Sequence, residues 1–157
     1  TPDDLAGAGL VVASALLDLV TADELVRMLD ACRGRPVLLA LTVVGRVALT
    51  PPDPLDAPIA AAFNAHQRRA GLLGPDAVAA AVEALPGDVV VRPSPWRLNG
   101  TSGALTAEWL TGWVAAACEQ EPALAGSAGP YRDRRPGAAA AGGLSVMGDH
   151  AALPAPP

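Results

Sequence analysis

The sequence contains no lysine and only two cysteines. All eleven basic residues are arginines, against sixteen acidic residues, and the formal net charge is −5. Binding to nucleic acid depends on clustered cations that neutralise phosphates, so this balance argues against a nucleic-acid partner. Cys32 and Cys118 are isolated thiols without a CxxC pair or the cysteine–histidine spacing of a zinc site. The sequence therefore predicts neither a disulfide scaffold nor a metal site.

Long apolar runs are also missing. No apolar stretch approaches the ~20 residues of a transmembrane helix, and no secretory signal peptide is recognisable. We therefore predict a cytoplasmic protein without a membrane partner, in which both thiols are reduced and serve as small core residues. Hydrophobic residues nevertheless make up 51% of the 157 residues, which is enough for a globular core.

Apolar runs and helix signals alternate in the first part of the chain. Residues 10–13 and 36–44 read as buried β-strands, and the segment between them has the pattern of an α-helix. Thr21 and Glu24 have the spacing of a capping box, and Gly34 is placed to end that helix. A strand, a helix and a second strand predict one βαβ unit.

Later segments continue the alternation. We predict three more helices and one more strand. The helices cover 57–69, the segment that begins at the Gly-Pro-Asp sequence of residues 74–76, and 104–120, and the strand covers 88–92. Residues 46–50 either extend the second strand or form a flap. In the last helix, Trp109 and Trp113 have the i, i+4 spacing of a core-facing stripe. Beyond Pro122, glycines and prolines predict an irregular tail over 126–157 with a possible edge strand at 144–147.

The alternation of strands and helices predicts an α/β sandwich around a mainly parallel sheet.

Several segments also resemble one family: GLVVASALLDLVTADEL, PVLLALTVVGRV, DPLDAPIAAAFNAHQRR, LLGPDAV, VVVRPSPWRL and LTAEWLTGWVAAACEQ. Together they resemble the carboxyl-terminal half of class I S-adenosylmethionine-dependent methyltransferases of the actinobacterial type. The resemblance implies that residues 1–125 are that half of a Rossmann-like methyltransferase domain, without its amino-terminal strands. Gly9 departs from the pattern, since such families commonly carry an aspartate there.

The activity that the resemblance implies is methyl transfer from S-adenosylmethionine to an unknown acceptor, either a small molecule or a protein. The glycine-rich cofactor loop of the family does not occur in this sequence. The chain is therefore expected to act within a longer or split enzyme, with an amino-terminal half or partner chain, and to be inactive alone. The alternative is a non-catalytic interaction module or a decayed methyltransferase fragment that pairs through an open sheet edge.

Three residues directly after the first predicted strand, Ser14, Ala15 and Leu16, are the predicted cofactor-binding residues. In an open α/β sheet, ligands lie beyond the carboxyl ends of the strands, and small side chains let the backbone approach them. The alternative is that Ser14 and Ala15 only fill a tight turn. Asp18 is predicted to orient the acceptor or the ammonium group of the cofactor. It could equally be a solvated acid near a helix N-terminus.

A polar group on the helix over 57–69 supplies three further site residues, and a loop supplies a fourth. His66 is the candidate catalytic base, because imidazole accepts a proton near neutral pH. Asn64 and Gln67 are spaced i, i+3 and are predicted to hold a polar group of the substrate. Trp96, in the stiff PSPW loop, is predicted to wall a substrate pocket. The alternatives are a partly exposed helix residue for His66 and core packing for Trp96.

Overall fold

The fold is α/β. The computed structural model describes residues 5–87 and 89–157, and in them five α-helices accompany a mixed β-sheet. The helices are α1 (Ala22–Ala31), α2 (Asp56–Gln67), α3 (Ala77–Ala84), α4 (Gly103–Gln120) and α5 (Ala125–Ala140). The strands are β1 (Val11–Ser14), β2 (Val37–Thr50), β3 (Arg92–Pro93), β4 (Trp96–Leu98) and β5 (Ser145–Ala155). The α/β class is thus confirmed. None of the described helices is long and apolar enough to span a membrane.

The sheet has the strand order β1-β2-β5-β3, and β4 also pairs with β5. Strands β1 and β2 are parallel, with Ser14 opposite Ala40. Strand β5 is antiparallel to both β3 and β4. The prediction of a mainly parallel sheet was therefore wrong, because it was made from the alternation of strands and helices and did not include the long last strand.

The chain forms two compact units. The first comprises the residues up to Val44 together with Gln67–Pro95 and Asp149–Pro157, and the second comprises Gly45–His66 and Trp96–Gly148. The long strands β2 and β5 contribute residues to both units. Each unit has its own cluster of buried hydrophobic residues, so each is described separately.

The first unit is built on the β1–α1–β2 segment. Leu25 and Leu29 of α1 are buried together with Leu39 of β2 and with Ala77 and Ala81 of α3. The predicted capping box is confirmed, since the Thr21 side chain accepts a hydrogen bond from the Glu24 backbone amide and the Glu24 carboxylate accepts one from the Thr21 amide. These bonds satisfy two amides that the helix leaves without partners.

Replacement of Thr21 by alanine is expected to lower the free energy of unfolding by about 1 kcal/mol, as for other helix caps. The hydrogen bonds from Thr21 lower the pKa of Glu24 from its ordinary value of 4.5. A carboxyl whose pKa falls on folding stabilises the protein above the unfolded pKa, and this stabilisation disappears as the pH falls through the folded pKa. The difference in the free energy of unfolding between the variant and the wild type, measured by urea denaturation, should therefore be larger at neutral pH than in acid. Thr111→Ala, at an exposed position of α4, is the matched control, and an equal loss in both variants would contradict the capping role.

The second unit is built on α4 and α5. Leu110, Trp113 and Val114 of α4 are buried with Ala128 and Tyr131 of α5. Helix α5 and strand β5 overturn the prediction of an irregular tail over 126–157, and the predicted edge strand at 144–147 is the start of β5, which lies inside the sheet. Helix α5 contains Pro130 and Pro136, which disfavour helix formation locally, and its buried contacts outweigh that preference.

The structure also decides the predictions for residues 46–50 and 88–92. Residues 46–50 extend β2 to Thr50 rather than forming a flap. Within the strand predicted over 88–92, Asp88 lies outside the described residues, and the paired strand β3 begins only at Arg92. Val90 and Val91 are more than 40% exposed, at 42% and 45%, so this apolar run is not a buried strand.

Candidate functional site

The turn after β1, in the first unit, combines two unusual backbone positions. Ser14 and Ala40 are partners in the parallel register, and the Ala15 amide donates a hydrogen bond to the Ala40 carbonyl over 3.0 Å. Ala15, which directly follows β1, and Leu41, which lies within β2, both have a positive φ, +51° and +52° respectively. Residues with a Cβ rarely adopt this left-handed conformation, and such strained positions cluster at functional sites. The structure thus puts strain on two neighbouring strands at the same level of the sheet.

Ser14, Ala15 and Leu16 are all exposed at this turn. The chain then enters a short 3-10 helix, Leu17–Leu19, which is anchored by the fully buried Leu17. The three predicted cofactor-binding residues therefore lie together at the carboxyl end of β1, the edge at which open α/β sheets bind ligands. Because Ser14 and Ala15 are small, a ligand has access to the backbone of the turn.

Thr42 is a residue of this region that the sequence analysis did not single out. Its side chain is completely buried, and its Oγ1 atom has no hydrogen-bond partner in the part of the chain that the structure describes. A buried hydroxyl without a partner costs free energy, so native proteins seldom leave one. The signal in the sequence was the single hydroxyl residue in the apolar run PVLLALTVV.

Two further predicted residues belong to the first unit. Asp18 is half-buried in the 3-10 helix, upstream of the first turn of α1, whose acids are Asp23 and Glu24. Gln67 is the last residue of α2, and its Oε1 atom is buried without a hydrogen-bond partner among the described residues. It packs on the turn at Gly74, where an added Cβ would lie 3.0 Å from the Gln67 Cβ. Gln67 is thus close-packed rather than extended into solvent.

The second unit contains Asn64 and His66, which both have partners. The Asn64 side-chain amide donates a hydrogen bond to the Gly45 carbonyl over 2.8 Å, which ties α2 to β2. The His66 Nε2 atom lies 3.1 Å from a carboxylate oxygen of Glu119 on α4, and the His66 side chain is only 13% exposed. The carboxylate holds the imidazole ring in one orientation, an arrangement found both in catalytic pairs and in structural ones. Its role as a base remains a prediction.

Trp96 lines a pocket of about 380 Å³ within the second unit. We call it the aromatic pocket, and its lining consists of Phe63, Trp96, Leu105, Glu108, Trp109, Gly112 and Trp113. The prediction that Trp96 walls a pocket agrees with this placement. The other walls were not predicted, because the helical spacing of Trp109 and Trp113 is also that of a core stripe. Trp113 is indeed buried, whereas Trp109 is half-exposed.

A buried polar cluster joins α2 and α5. The Tyr131 hydroxyl donates a hydrogen bond to Asp56 over 2.7 Å, and the Arg135 guanidinium donates to both Asp56 carboxylate oxygens at 3.1 and 3.2 Å. Arg135 also donates to the Pro51 carbonyl over 2.7 Å. Burial, reinforced by the hydrogen bond to Asp56, raises the pKa of Tyr131 far above its usual range. Among the described residues, the Arg135 Nε atom is buried without a hydrogen-bond partner, while the other groups named here bind one another or the backbone within the fold. The cluster is therefore assigned a structural role.

A larger cavity of about 480 Å³ lies at the amino end of β2 in the first unit. Its lining includes Arg35, Val37 and Glu83 and none of the predicted site residues. Ligands of open α/β sheets bind at the opposite, carboxyl ends of the strands. This cavity is therefore separate from the turn after β1.

No known protein-family model matches this chain, and no curated protein matches its sequence. The family suggested by the sequence therefore remains a prediction.

Proposed function

We propose that this chain supplies part of the cofactor site of an S-adenosylmethionine-dependent methyltransferase, acting with an amino-terminal half or partner chain that carries the glycine-rich loop. The observation that carries the proposal is the strained backbone of Ala15, in the exposed turn after β1, and of Leu41, in the neighbouring parallel strand β2. Strained positions of this kind cluster at functional sites.

The residues at the turn suit one wall of such a site. Ser14 and Ala15 let the backbone approach the cofactor, and the exposed side chain of Leu16 offers an apolar surface. Asp18 follows in the 3-10 helix, where a carboxylate would attract the ammonium group of the cofactor. The hydroxyl of Thr42, adjacent to Leu41, is a buried polar group for which the described residues supply no partner. The cofactor would supply a methyl group already activated on a sulfonium, and the protein would orient the reactants and exclude water.

The fold agrees with the proposal only at the level of the α/β class. Strand β5 lies between β2 and β3 and runs antiparallel to β3, so the sheet is mixed. Fold alone does not establish activity, so the site must be tested directly.

A second candidate function is a non-catalytic interaction module. Strand β1 is the terminal strand in the described sheet order, and Leu10 and Val12 beside and within it are 51% and 56% exposed. An apolar edge strand offers unpaired backbone groups to a strand of another chain. A stable complex with a partner chain that never binds S-adenosylmethionine would favour this function over the enzyme.

Calorimetry with S-adenosylmethionine tests the methyltransferase proposal. We expect the chain alone to bind weakly or not at all, and the chain joined to a segment that carries a glycine-rich strand-loop-helix to bind at micromolar concentration. In the joined protein, Ser14→Trp should weaken binding at least about tenfold by filling the turn, equivalent to ~1.4 kcal/mol. Ser127→Trp, at an exposed position of the second unit, is the matched control.

Two results would argue against the proposal. Micromolar binding to the chain alone would contradict the need for a second half. Absence of cofactor binding in the joined, folded protein, together with no S-adenosylhomocysteine formed from a panel of acceptors, would overturn the assignment to methyl transfer.

A further inference from the structure

The aromatic pocket of the second unit gathers most of the aromatic residues of this chain. The sequence has three tryptophans, one phenylalanine and one tyrosine, and the pocket is lined by all three tryptophans and by Phe63. They come from α2, β4 and α4, so the grouping is made by the fold and not by one segment. A cavity of about 380 Å³ lies within the size range of small-molecule sites.

The rings are arranged as a wall with one open side. Trp109 and Trp113 stack with centroids 5.2 Å apart and an interplanar angle of 18°, and Phe63 tilts against Trp113 at 6.5 Å. Trp96 is 38% exposed, whereas Trp113 is 2% exposed. The pocket therefore combines a buried aromatic floor with a ring that is accessible from solvent. Aromatic faces carry negative electrostatic potential, which attracts cations placed over them.

Glu108 adds a negative charge to the same pocket. Its side chain is exposed, and no arginine or histidine lines the cavity with it. The whole chain carries a net charge of −5, so the wider field also favours a cation. Aromatic rings beside one carboxylate are the surroundings that a quaternary or methylated ammonium group prefers. Such a group is weakly hydrated and binds through its charge and its methyl surface together.

We infer that the aromatic pocket binds a quaternary or methylated ammonium group, with the rings contacting its methyl groups and Glu108 balancing its charge. This site lies entirely within the second unit and does not depend on the cofactor site proposed for the first unit. The competing hypothesis is that the pocket binds a neutral apolar ligand, and a comparison of a cation with its neutral isostere distinguishes the two.

Tryptophan fluorescence reads this pocket specifically, because all three tryptophans line it. The full chain is titrated with tetramethylammonium and with choline at constant ionic strength, and in parallel with dimethylbutanol, the neutral carbon isostere of choline. We expect saturable changes with both cations, and at least about fivefold weaker binding of the isostere, as the loss of a cation–π contact predicts.

Three variants make the inference falsifiable. Glu108→Gln should weaken binding of the cations about fivefold and leave the isostere unchanged, because only the charge is removed. Trp96→Leu should weaken them about tenfold. Glu83→Gln makes the same charge change on α3, in the first unit, and should have no effect. Circular dichroism and thermal melting establish that each variant is folded.

Three results would contradict the inference. Equal affinity for choline and dimethylbutanol would identify an apolar pocket without cation selectivity. Absence of saturable binding by either cation to the folded wild-type chain would remove the site altogether. Equal loss in Glu108→Gln and Glu83→Gln would show that the overall charge, rather than the pocket, attracts the cation.

Discussion

Replacement of Asp56 by alanine is expected to lower the free energy of unfolding by about 3–5 kcal/mol, the usual cost of breaking a buried ion pair from one side. Arg135 is only 6% exposed, and Asp56 is the carboxylate that neutralises it. Without that carboxylate, the guanidinium stays buried with its charge uncompensated, and the Tyr131 hydroxyl loses its acceptor. Urea denaturation monitored by circular dichroism measures the loss.

Two comparisons separate this effect from a general loss of charge. Asp133→Ala removes an exposed carboxylate of α5 and should change stability by no more than about 0.5 kcal/mol. The double variant Asp56→Ala/Arg135→Leu removes the buried charge as well and should recover much of the loss, since apolar replacements of buried pairs are often tolerated. If Asp56→Ala and Asp133→Ala were equally stable, the cluster would have no structural role.

The second large effect is expected at Gly103, where α4 begins. A Cβ at this position would lie 2.7 Å from the Ala139 carbonyl oxygen and 2.9 Å from that of Ala140. Both atoms belong to the backbone of α5, so the contact is relieved only by moving one helix. Gly103→Ala is therefore expected to cost about 1–3 kcal/mol, the range of overpacked cores.

Gly112 provides an internal control on the same helix. A Cβ there would meet no atom within 4 Å, and its backbone is that of a regular helix. Gly112→Ala should therefore stabilise the protein by about 0.8–1 kcal/mol, the difference in helix propensity between the two residues. We therefore expect Gly103→Ala to lower and Gly112→Ala to raise the stability of the protein, as measured by thermal or urea denaturation. A loss of similar size in both would show that helix packing at Gly103 is not special.

Local sequence patterns predicted the elements whose signals lie within a few residues. The capping box of Thr21 and Glu24 and the helical pattern of the segment that follows it predicted α1 nearly to its ends. Such interactions form between neighbours in the chain, so they are readable without knowledge of the fold. The exposed turn of Ser14, Ala15 and Leu16 after β1 was predicted for the same reason.

Elements stabilised by distant contacts were predicted poorly. Helix α5 contains Pro130, Pro136 and several glycines, and its local pattern predicted an irregular segment. Its buried side chains, among them Tyr131 and Arg135, contact partners on α2 and in the preceding loop, 75 to 84 residues earlier in the chain. Local propensity carries no information about such contacts, and they outweigh it.

Some features of the candidate sites were likewise predictable from local sequence, and others depended on the fold. Residue type and the position directly after β1 were enough to indicate the turn at Ser14. Trp96 was predicted in a loop after a strand, whereas it begins β4 and lines the aromatic pocket. The strain at Ala15 and Leu41, the buried hydroxyl of Thr42 and the meeting of Phe63 with three tryptophans became visible only in the folded chain. Backbone torsions and contacts between distant segments follow from how strands pair and helices pack, and short-range sequence patterns do not encode that arrangement.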